Sequence, residues 1–146
     1  MATSHTTIVP LISSDTAGPL GAIHLPRLWT KLTLAAHKQL ADGYDICGAG
    51  FDQMTLDAFG LDRAKTIAFV NEKHPTYVQF EQYVKDNGNV TPESIAKHNA
   101  AVRGYNHSDE LGSKMRTSSG LNDAAVADAV RLNMVEDLDE LHKSLH

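Results

Sequence analysis

Along most of this chain apolar residues return every three or four positions, and no stretch alternates at every second position for long enough to make a strand. From Pro26 the spacing puts Leu28, Leu32, Ala35, Ala36 and Leu40 on one helical face, with Asp42-Gly43 as the stop. Asp52 reads as the N-cap of a short helix that Gly60 ends, with Phe51 stapled onto Leu56 across the cap. Asp62 caps a helix through Asn71 that turns Ala64, Ile67, Ala68 and Asn71 inward, and His74-Pro75 breaks it. Another runs to Asp86 with Tyr77, Phe80 and Val84 inward and Gly88 beyond its end. Thr91-Pro92-Glu93 supplies a cap, a first-turn proline and a first-turn acid in succession, so a helix is predicted from Pro92 to Arg103.

Further on, Ser108-Asp109-Glu110 opens a shorter helix towards Met115, Thr117 to Gly120 reads as a loop, and Asn122 or Asp123 caps a helix carrying Val126, Ala129 and Val130 inward. The terminal segment sets Met134, Leu138, Leu141 and Leu145 at heptad-like intervals, with Glu136, Asp137, Asp139 and Glu140 facing water. The expectation is an all-α fold, a single compact domain of six to eight helices over residues 19–146. A flexible N-terminal arm, residues 1–18, precedes it and docks through Val9, Leu11 and Ile12.

A length of 146 residues suits one core and not two. Thirteen Lys and Arg against eighteen Asp and Glu leave a formal charge of -5, which disfavours a nucleic-acid partner. Cys47 stands alone, so no internal disulfide forms, and cytoplasm is the expected compartment. The longest apolar runs, such as Ile8 to Ile12, fall far short of the ~20 residues of a bilayer span, and the amino terminus lacks the pattern of a secretory leader.

The most informative segment is Gly21-Ala22-Ile23-His24-Leu25-Pro26-Arg27-Leu28-Trp29-Thr30-Lys31. His24 falls just before a helix N-terminus, where free N–H groups favour an anion, and Arg27 and Lys31 follow one turn apart on one face. Neighbouring positive charge lowers the pKa of such a histidine and leaves a neutral imidazole to serve as a base. The plainer alternative is that His24 helps cap the helix while Arg27 and Lys31 form a solvated face. On the helix from Pro92, Asn99 lies between Ile95 and Val102 on the inward side, with Arg103 one turn on and His98 adjacent. Asn99 either secures a neighbouring loop or, with Arg103, lines a pocket and meets the negative end of a substrate.

Other candidates fall away. Cys47 has no activating histidine nearby, Gly48-Ala49-Gly50 follows no strand and lacks the rest of a phosphate loop, and His107-Ser108-Asp109 has no nucleophile elbow. No His-Glu-x-x-His occurs among the eight histidines, so neither a metal nor another cofactor is expected.

The run GAIHLPRLWTK, the Tyr44 to Asp52 segment with Leu56 and Gly60-Leu61-Asp62, and the later Ile95, Asn99 and Arg103 resemble the bacterial family called domain of unknown function 5069. The similarity spans about residues 18 to 142 in the family's order, His-Leu-Pro-Arg being its most specific part, and His98 stands where that family usually has tryptophan. The resemblance implies a small, helical, cytoplasmic bacterial protein and no particular activity.

Two classes of function follow from the residues. One is a small cofactor-independent enzyme performing acid–base chemistry on a small anionic substrate, of isomerase, lyase or hydrolase type. In it His24 and Asp52 are catalytic, and Arg27, Lys31, Asn99 and Arg103 bind the substrate. The other is a non-catalytic ligand-binding or interaction module, homodimeric through the apolar terminal helix.

Overall fold

The structure, a computed structural model, describes residues 6–146, so the first five residues of the expected arm lie outside the described residues. It is all-α, with seven helices among the described residues. These are α1 (Leu25–Ala36), α2 (Phe51–Ala58), α3 (Arg63–Lys73), α4 (Tyr77–Asn87), α5 (Pro92–Arg103), α6 (Asp109–Ser119) and α7 (Ala129–Leu145). β-pairing among the described residues is limited to three isolated bridges, Ile8 with Leu40, Ala17 with Ile23, and Asn106 with Asp128.

Capping chemistry sets most helix starts. Asp62, Thr76, Thr91, Ser108 and Asp128 each accept a backbone N–H of the first turn, and Thr76 and Thr91 complete capping boxes with Gln79 and Ser94. α1 packs on α3 and α4, and α2 packs on α5. The main core gathers Leu25, Leu28, Leu32, Leu56, Phe59, Val70, Phe80 and Val84 between these helices. A second, smaller cluster of Ile23, Phe51, Val102 and Ala129 joins α7 to the body, and α6 packs on α7.

Several local expectations are corrected. α1 stops at Ala36, short of Asp42: Lys38 takes a left-handed conformation (φ 57°), and its N–H and that of Gln39 return to the carbonyls of Ala35 and Leu34. Leu40 is then free to pair with Ile8 instead of extending the helical face. Gly50, not Asp52, is the N-cap of α2, and Phe51 joins the smaller cluster instead of stapling onto Leu56. α3 buries Thr66 and Val70, leaving Ala64 and Asn71 exposed.

α6 runs through Thr117 to Ser119, because the Ser118 and Ser119 hydroxyls donate back to the Met115 carbonyl and Gly120 supplies the left-handed cap. Asp123 forms only a local turn with Ala125, and a single helix capped by Asp128 replaces the two expected near the carboxyl end. In the expected arm, Val9 and Ile12 are half-buried, but Leu11 is exposed; Pro10 and Ser14 do the docking.

Candidate functional site

Gly21, with φ 88°, turns the chain so that residues 22–24 enter the core immediately before α1. His24 is the residue before the helix, and it too is left-handed (φ 68°, ψ -23°), a conformation a non-glycine residue holds only when its surroundings compel it. Its ring makes no capping bond. Instead Nε2 lies 2.6 Å from Asp52 Oδ1 and Nδ1 lies 3.0 Å from Ser14 Oγ, all three side chains being buried.

Asp52 is held from three sides: by His24, by Lys31 Nζ at 2.5 Å and by the Gly48 N–H at 2.7 Å. Burial alone would raise its pKa, but the hydrogen bond from His24 and the charge and hydrogen bond of Lys31 outweigh that and hold the carboxyl well below its ordinary range. A carboxylate only accepts, so Nε2 of His24 carries the proton and Nδ1 takes the Ser14 hydroxyl. The pKa of His24 is lowered, as expected from its neighbours, but burial is the larger cause and Arg27 and Lys31 contribute less. Its imidazole is therefore neutral, with both ring nitrogens engaged.

Arg27, one turn into α1, forms a bidentate pair with Asp137 of α7 (2.7 and 3.0 Å), and its Nη1 also donates to the Pro10 and Ile12 carbonyls. Asp137 further accepts the Tyr44 hydroxyl at 2.8 Å, and burial with that bond pushes the Tyr44 phenol above its ordinary range. Arg27, Lys31 and Asp137 are all buried, which corrects both the solvated basic face and the solvent-facing Asp137.

The α5 residues do not reach this place. Asn99 accepts the Ile23 N–H at 3.0 Å and donates to the Gly21 carbonyl at 2.9 Å, spending its amide on the loop before α1. It is half-buried, and its neighbour His98 is the residue sunk in the core, donating from Nε2 to the Ile23 carbonyl. Arg103 pairs with Asp15 at the surface, both side chains more than half exposed. The expected convergence of two guanidinium groups with His24 is thereby corrected: only Arg27 is close.

What surrounds His24 is a cavity of about 320 Å³ between the Gly43 to Gly50 loop, the start of α2, and α7. His24, Arg27, Lys31 and Asp52 line it, together with Tyr44, Asp45, Phe51, Tyr105 and Glu136 among others. Neither Asn99 nor Arg103 lines it. Tyr44, Tyr105, Glu136 and Ser14 carried no sequence signal as site residues, since each joins through contacts distant along the chain. Cys47 is buried, and burial raises its thiol pKa, as suits an unreactive cysteine. Among the described residues no three His, Cys, Asp or Glu side chains gather as metal ligands, and no helix is long and apolar enough to cross a membrane. Neither a protein-family model nor a curated protein matches the chain.

Proposed function

We propose that this chain is a small-molecule-binding protein whose ligand occupies the cavity beside His24 and Asp52. One observation carries it: a concave space of about 320 Å³ is walled by polar side chains already fixed in position by buried ion pairs. Pre-set walls spare a ligand the cost of ordering them. Fragment screening by amide chemical shifts tests it: binding is expected to move Gly48 to Asp52, and a screen in which every hit maps elsewhere overturns it.

A second reading, the acid–base enzyme, is favoured by the Ser14–His24–Asp52 chain and by the constrained backbone of His24. In that reading His24 exchanges the proton, Asp52 orients it, and Arg27 and Lys31 hold an anion; Asn99 and Arg103 have no part. Ser14 is 1% exposed and does not line the cavity, so it is not the nucleophile of a hydrolase. Kinetics on any substrate found decide the matter: a folded His24→Ala variant with full activity removes the enzymatic role.

The family resemblance belongs to the same proposal, supported by the His24–Asp52 contact and by the hold of Asn99 on the loop that precedes α1. So do a cytoplasmic location and a homodimer, the latter supported by the exposed Met134, Leu138 and Leu145 on α7. Light scattering that finds a monomer at high concentration overturns the dimer.

A further inference from the structure

The charges in the cavity wall do not suit the anion that the sequence leads one to expect. Its two basic side chains are already committed, Arg27 to Asp137 and Lys31 to Asp52, in buried pairs. An incoming anion would have to break one of them and leave a buried carboxylate alone. Two further lining carboxylates, Asp45 and Glu136, make no ion pair, so two cations stand against four carboxylates once Asp137 is counted. The residual field is negative.

Besides Ala49, Leu111 and Ala129, the less polar part of the wall is aromatic. Phe51 and Tyr105 meet edge to face at 5.7 Å and 69°, Tyr105 meets His107 at 6.1 Å and 89°, and Tyr44 also borders the space. Rings set nearly at right angles form a corner whose faces, being electron-rich, attract a cation. Carboxylates beside such a corner recognise positive charge carried on a small organic body.

Resting on the small-molecule reading above, we infer that the cavity takes a small organic cation, an amine or quaternary ammonium group, seated between Glu136 and Asp45 and the rings of Tyr44, Phe51 and Tyr105. Glu136 also shows the strain such a cation would relieve: burial, then Asp137 and Glu140, hold its carboxyl above the ordinary range. Arg27 and Lys31 keep their partners throughout, and the ligand replaces only water.

The test titrates the full chain with tetramethylammonium chloride, n-propylammonium chloride, sodium propionate and n-propanol at matched ionic strength, following amide shifts. Both ammonium probes are expected to move Ala49, Gly50 and Phe51. Their Kd should rise at least tenfold in Glu136→Gln and about threefold in Tyr105→Leu, which keeps apolar bulk but removes the π face. Propionate binding there in preference to ammonium overturns the inference and leaves the cavity reading standing, as does n-propanol binding as well as n-propylammonium. Silence from all four probes at those residues overturns both.

Discussion

At the scale of single residues, Asp52 has more depending on it than any other side chain near the cavity. Replacing it with Asn leaves Lys31 buried without a counter-charge, and breaking a buried pair in this way costs about 3–5 kcal/mol. Lys31→Met is expected to cost less, because the carboxylate keeps His24 and the Gly48 N–H. Urea midpoints of the two variants check the order. The backbone of His24 gives a second comparison: Asn tolerates the left-handed region and offers a donor to Asp52, so His24→Asn should be more stable than His24→Ala by about 1 kcal/mol. Acid acts here as well. His24 and His98 are both lowered from an ordinary 6.5, first by burial, which the Asp52 and Ile23 contacts only partly oppose. Between those lowered values and 6.5 the unfolded chain holds protons that the folded one refuses. Stability is therefore full above 6.5 and falls as the pH drops below it, by up to about 1.4 kcal/mol per pH unit for each histidine. His98→Phe should remove one of these two contributions from a pH series of denaturation curves, and an unchanged slope would contradict the assignment.

At the scale of elements, Arg27 ties three parts together: α1, which carries it, α7 through Asp137, and the segment before α1 through the Pro10 and Ile12 carbonyls. Arg27→Met should cost about 3–5 kcal/mol, since Asp137 is left buried and unpaired, and should also free the segment around Pro10. Limited proteolysis is expected to cut the variant between residues 8 and 16 well before the wild-type chain. The same contacts explain which features could be read from the sequence. α5 begins and ends as expected because Thr91-Pro92-Glu93 and Gly104 act within one turn of the helix ends. α1 ends early at the left-handed Lys38, and Leu40 pairs instead with Ile8, more than thirty residues away, which no local signal announces. Likewise His24, Arg27, Lys31 and Asp52 were visible as candidates from helix position and charge, whereas Asp137, 110 positions from Arg27, looks from its acidic neighbours like part of a solvated face. Asn99 reads from periodicity as an amide pointing into the core; it is half-buried, and its partners are backbone groups, to which charge and periodicity are blind.

Across the whole molecule, apolar burial is uneven. α1 to α4 share the larger core, while the α6–α7 hairpin is joined to the body by the small cluster around Ala129, the Asp137 contacts with Arg27 and Tyr44, and the bridge beside Tyr105. Opening that hairpin exposes little apolar surface and lets both members of the Arg27–Asp137 pair regain water, so its free energy of opening should lie below that of global unfolding. Native-state hydrogen exchange is expected to show the amides of α7 opening about 1–2 kcal/mol more readily than those of α1 and α4. Asp137→Asn removes the charge that holds the hairpin while leaving α1 packed on α3 and α4. Exchange in α6 and α7 should then accelerate at least tenfold with α4 less affected. Because one wall of the cavity belongs to α7, a ligand bound there would close the gap between the two regions, protecting α7 more than α4. Equal exchange in all seven helices, with and without the substitution, would show one cooperative unit in which the cavity wall is as firm as the core.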